Sequence, residues 1–227
     1  MIKSNLILPV RVARQRGFTL VELLVVLSII AILVAVLAPA AMHALKMGRE
    51  NAAMQNSHNI GELMMQYGVD QGQYPDGNTS TDAFKLLLAN NYLTSPSIFY
   101  LAGGTQTKFT GTSPAVNLAS NNVSWDITGL NGTGSTPGPV GISSTAPDEL
   151  PVVFSTGGTV SYPAQPGPGS ATCTAAGPLN TDGLAVTYKD NHSTFARVNS
   201  TTGAYTINNF IDGSFDPKGL VYVQRTP

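Results

Sequence analysis

Glu22 stands where a carboxylate is costly. It opens a twenty-residue stretch, Leu23 to Met42, that carries no charge and is interrupted only by Ser28 and Pro39. An ionised side chain inside a membrane span costs about 2.5–3.5 kcal/mol on insertion scales. Such a group calls for a cationic partner, and the span contains none. The alternative is that Glu22 reaches the headgroups from near the helix end. Five residues earlier, Gly17 closes a stretch whose only charges are Lys3, Arg11, Arg14 and Arg16. The chemistry on offer is the pairing of a costly carboxylate with a cation from outside the span.

Other constellations offer less. Asp212-Gly213-Ser214-Phe215-Asp216 alternates oxygen donors as calcium ligands do. It lacks the glycine and closing glutamate of an EF-hand loop, and a plain turn is the alternative for Asp212 and Asp216. His43 and His58 are too far apart along a helix to share a metal. His192 has no Gly-x-Ser-x-Gly elbow to serve, since Gly134-Ser135-Thr136-Pro137-Gly138 misplaces the serine. Met47, Met54, Met64 and Met65 fit core filling. The single cysteine, Cys173, excludes an intrachain disulfide and a thiolate-built zinc site. Five Asn-x-Ser/Thr sequons, at Asn78, Asn122, Asn131, Asn191 and Asn199, follow from composition.

The elements that must position Glu22 are legible. About 20 apolar residues rising ~1.5 Å each cross a bilayer core of about 30 Å. Four cations on the preceding flank hold that end in the cytoplasm. Ala38-Pro39-Ala40-Ala41 looks like a secretory cleavage site, so a cut near Ala41 remains an alternative. Pro39 removes the hydrogen bond to the Ala35 carbonyl, which kinks or breaks the helix. Beyond the span, Leu45, Ala52, Ala53, Asn56, Ile60, Leu63, Met64 and Tyr67 form a stripe at helical spacing, with Lys46, Arg49, Glu50 and Glu62 mostly off it. One helix from about Phe18 to Val69 is predicted, ending before the turn Tyr74-Pro75-Asp76-Gly77. A second helix begins at Thr81 or Asp82 and ends near Asn90-Asn91. Short apolar runs then predict antiparallel strands: Ile98–Leu101, Ser124–Ile127, Val152–Ser155, Leu184–Lys189, Thr194–Val198, Ala204–Ile207 and Leu220–Gln224. Asp190-Asn191-His192 closes a hairpin. Gly129 to Gly183, with 11 Gly and 8 Pro, reads as loop-rich.

Composition sets the outer bounds. Only 11% of the 227 residues are charged, against about 25% in ordinary soluble domains. A net charge of −1 supplies no basic field for nucleic acid.

The string from Gly17 to Ala40, GFTLVELLVVLSIIAILVAVLAPA, resembles the signal of type IV pilins and type II secretion pseudopilins. The likeness covers about residues 11–45: a basic leader, the Gly-Phe junction, Thr-Leu, the carboxylate and the uninterrupted span. It implies that a prepilin peptidase cuts between Gly17 and Phe18 and N-methylates the Phe18 amine. It implies that Glu22 pairs with the Phe18 amine of a neighbouring subunit, and that Pro39 marks a stretch losing helicity on assembly. The implied fold is α+β, a long N-terminal helix with a small antiparallel β head. Its expected divisions are a leader (1–17), a transmembrane and assembly half-helix (18–42), an amphipathic half-helix (43–72) and a β head (73–227). The implied partners are the peptidase, other pilin or pseudopilin subunits and an inner-membrane assembly platform, with the head periplasmic. Major pseudopilins carry a calcium site in their C-terminal loops, which makes calcium the one candidate cofactor. The competing functions are a membrane-anchored adhesive head and a DNA-uptake minor pilin.

Overall fold

The computed structural model describes residues 17–132, 138–144, 146–162, 167–173, 177–179, 182–198, 204–211 and 221–227. The fold is α+β, a long N-terminal helix and a small antiparallel head. The chain divides into two compact units, Met1–Lys46 and Met47–Pro227, and helix α1 (Leu20–Gln71) contributes to both.

In the first unit, every residue from 17 to 46 is exposed. The helix passes Pro39 without interruption, so the single chain shows no break there.

In the second unit, α1 ends at Gly72, whose φ of 78° suits a residue without a side chain. Helix α2 (Ser80–Ala89) follows, then a 3₁₀ turn at Pro96–Phe99 and a short α3 (Pro114–Asn117). Among the described residues nine strands come next: β1 (Trp125–Gly132), β2 (Gly138–Val140), β3 (Pro151–Ser155), β4 (Gly158–Ser161), β5 (Gly167–Cys173), β6 (Gly183–Tyr188), β7 (Ser193–Arg197), β8 (Ala204–Ile211) and β9 (Val221–Arg225). A six-stranded antiparallel sheet runs β2-β1-β3-β6-β7, with β9 also paired to β1. A three-stranded sheet runs β4-β5-β8.

The helix α2 begins earlier than its sequence suggests. Thr79 is the N-cap, and Asp82 is its capping-box partner three residues on. The expected strand at Ile98–Leu101 is instead largely the 3₁₀ turn, nucleated by Ser95 as cap and Pro96 in its first position. The loop-rich stretch from Gly129 contains the end of β1, the expected β3, and all of β2, β4 and β5. Asp190-Asn191-His192 does close a hairpin, β6 to β7, with Asn191 at a left-handed φ of 63°. The core gathers Trp125, Phe84, Phe99, Phe154, Ile60, Met64 and Leu87, with Phe84 stacked on Phe99 at 4.4 Å.

Within this unit the buried stripe of α1 is Glu50, Ala53, Ser57, Ile60, Gly61, Met64 and Gly68. Ala52, expected on it, is exposed, and Glu50, expected off it, is buried. The reason is the surface it meets. Thr187 on β6 donates to Ser57 Oγ at 2.9 Å and shares a 2.7 Å hydrogen bond with Ser193. Arg197 on β7 grips Glu50 through both amino groups, at 3.2 and 2.6 Å. A Cβ on Gly61 would lie 2.6 Å from Thr187 Cγ2, and the Thr187 side chain is held by those two hydrogen bonds. Gly61→Val therefore overpacks the contact, for an expected loss of about 1–3 kcal/mol in urea unfolding. Gly48, an exposed position where a Cβ meets nothing within 4 Å, is the control. Gly48→Ala should gain up to about 1 kcal/mol from helix propensity.

Candidate functional site

Gly17, Phe18 and Thr19 precede the first helical residue, Leu20. A Cβ added to Gly17 would meet nothing within 4 Å, and Phe18 is 82% exposed. The Gly17–Phe18 peptide is thus accessible from solvent.

Thr19 caps α1. Its hydroxyl accepts from the Glu22 N–H at 3.2 Å, and the Thr19 N–H and hydroxyl donate to Glu22 Oε2 at 2.8 and 2.9 Å. This is a reciprocal capping box, the same Thr-x-x-acid device that opens α2. It holds the carboxylate back toward the chain's start, one turn from the junction. Both donors fall on Oε2, so Oε1 has no partner among the described residues. A carboxylate in the first turn also favours the positive end of the helix dipole. The site can therefore offer one carboxylate oxygen to an external cation while the helix start stays satisfied.

From Leu20 onward the apolar side chains are exposed: Leu20, Leu27, Leu33 and Leu37 are among them. Among the described residues α1 is the one helix long and apolar enough to cross a membrane. An apolar surface of this extent needs lipid or other helices to cover it.

The structure brings Gly17, Phe18 and Glu22 within two helical turns. Pro39 lies further along the same helix. Asp212 and Asp216 lie outside the described residues. Among those described, no group of three or more His, Cys, Asp or Glu is placed to hold a metal. His192 bonds Asp190 in its own turn and stacks on Tyr188 at 4.2 Å, a structural arrangement of the hairpin. Sequence reasoning missed Thr19 as the partner of Glu22, although the three-residue spacing of a capping box was there to find.

No curated protein and no solved structure matches the chain. A family model does: the prokaryotic N-terminal methylation motif, over residues 12–38. That stretch contains the Gly17–Phe18 junction, the Thr19–Glu22 box and most of the apolar run, and it identifies the start of this chain as the prepilin signal of type IV pilins and pseudopilins.

Proposed function

We propose that the chain is a structural subunit of a type II secretion pseudopilus or a type IV pilus, processed at Gly17–Phe18 and polymerised through α1. The observation that carries this reading is an accessible Gly-Phe junction, followed by a half-partnered carboxylate on a fully exposed apolar helix. A prepilin peptidase cuts the junction on the cytoplasmic face and methylates the Phe18 amine. Removing the leader takes away Lys3, Arg11, Arg14 and Arg16, leaving eight basic against thirteen acidic side chains, a net of −5. It also removes the cations that anchor the helix at the cytoplasmic surface. Glu22 Oε1 then accepts from the Phe18 amine of a neighbouring subunit. Neutralised as a pair, the two groups let the helix leave lipid for a filament core. Pro39, helical in the single chain, is where helicity is lost on assembly. The head stands on the periplasmic side, and an inner-membrane platform feeds subunits into the filament. With a single cysteine, the head lacks the cysteine pair of many adhesive pilins, which favours the secretion pseudopilus.

Deleting the gene tests the role directly. Exoproteins trapped in the periplasm indicate a pseudopilus, loss of surface filaments a pilus, and neither result overturns the proposal. Processing has its own test. Gly17→Val should fold unchanged, since nothing crowds that position, and should accumulate as full-length precursor on immunoblots of the inner membrane. Cleavage at the wild-type rate would contradict the junction.

A further inference from the structure

Strand β1 presents two faces. Ile127 pairs with Val153 and Val153 with Thr187, so these share the face that meets α1 through Ser57. Asp126, Thr128 and Gln224 lie on the opposite face, by the alternation of side chains along a strand and the Thr128–Gln224 pairing. There Gln224 bridges the two sheets. Its Oε1 accepts from Val160 N–H on β4 at 2.9 Å, and its amide nitrogen donates to the Gly158 carbonyl at 2.8 Å and to Asp126 Oδ2 at 2.6 Å. The Val160 N–H fixes which way the amide points, since only the oxygen can accept it. Asp126 is 1% exposed, and its Oδ1 has no hydrogen-bond partner among the described residues.

We propose that Asp126 makes the joint between the two sheets pH-sensitive: the joint holds while the buried carboxyl is neutral and opens toward water, freeing β4, once it ionises. A neutral carboxyl tolerates burial here, whereas a carboxylate is a buried charge without a cation, which the hydrogen bonds from Gln224 and Thr156 offset only in part. Burial pushes the carboxyl up to about 7, against the opposite pull of Gln224 and Thr156. The folded state thus binds the proton more tightly than the unfolded chain, whose Asp titrates near ~3.9. The joint is fully closed below that value, weakens as pH rises, and is released above about 7. Among the described residues the facing groups do not compete for the proton in this range. Phe154 on β3 and Val160 on β4 are apolar, and Tyr162, hydrogen-bonded to Thr128 at 2.6 Å, is held protonated by burial. Arg225 on β9 points to the other face, at Asp76.

The test uses the full-length protein in detergent, followed by amide hydrogen exchange of residues 158–161 at pH 5 to 8, corrected for intrinsic exchange. Wild type should lose at least about tenfold protection across this range, because each pKa unit displaced is a factor of ten. Asp126→Asn keeps the acceptor toward Gln224 without the charge. It should show no such loss and should be better protected than wild type at pH 8. The two proteins differ at this one side chain, so the difference isolates Asp126. An asparagine variant with the wild-type pH profile would overturn the proposal. If that variant fails to fold, β4 protection in wild type that does not change with pH would overturn it alone.

Discussion

Glu22→Leu should abolish assembly while leaving insertion and processing intact. The substitution removes an insertion cost of about 2.5–3.5 kcal/mol, so the variant sits in the bilayer more readily than wild type. The Gly17–Phe18 junction is untouched, and cleavage should proceed. The Thr19 N–H, however, loses its acceptor, and the amine of each neighbour loses its anion. Sheared filaments or released exoprotein should fall to background, beside normal amounts of processed subunit on immunoblots. Glu22→Asp keeps the charge with a shorter reach and should retain part of the function. Polymerisation of Glu22→Leu at wild-type yield would instead favour a solitary membrane-anchored head.

The second large effect lies in the head, where Arg225→Met should cost about 3–5 kcal/mol. Asp76 sits in the turn after α1, with its side chain 4% exposed, and Arg225 on β9 is 10% exposed. Arg225 donates to Asp76 through Nε at 3.1 Å and Nη2 at 3.3 Å, and to the Leu130 carbonyl at 2.9 Å. Asp76 also accepts from the Gly77 and Leu130 N–H groups. A Cβ on Gly129 would come within 2.6 Å of Asp76 Oδ1 and 2.7 Å of Arg225 Nε, so glycine there permits the pair to close. Removing the guanidinium leaves a buried carboxylate without its cation. Urea unfolding of a fragment beginning near Met42 should show the loss. Asp148→Asn gives the contrast: that residue also pairs with a lysine, Lys189 at 2.8 Å, but is 69% exposed. Its removal should change stability by no more than about 1 kcal/mol. Equal effects from the two substitutions would contradict the burial argument.

What the sequence revealed depended on what kind of force made each element. The span and Glu22 were legible because a charge-free run of twenty residues has few other readings. Strands β3 and β6 were legible because both are buried along their whole length and carry the apolar residues that demands. Strands β2, β4 and β5 were hidden among glycines and prolines. Backbone pairing holds them, and it leaves little mark in side-chain pattern: β5 reads Gly-Pro-Gly-Ser-Ala-Thr-Cys. The buried face of α1 was misread for a related reason. A search for apolar residues selects Ala52, but the sheet presents Thr187 and Arg197, so the helix answers with Ser57, Gly61 and Glu50. The candidate site divided in the same way. Gly17, Phe18 and Glu22 stood out by type and spacing, whereas Thr19 matters only through the geometry of a helix start.

The proposed subunit is cut and modified at Gly17–Phe18 before it assembles. Intact-mass and N-terminal peptide spectrometry of the protein purified from its native membrane measures that directly. The expected result is a chain that begins at Phe18 and carries one methyl group on its amine. A mature chain beginning near Ala41, or one that retains Arg16 and Gly17, would contradict it.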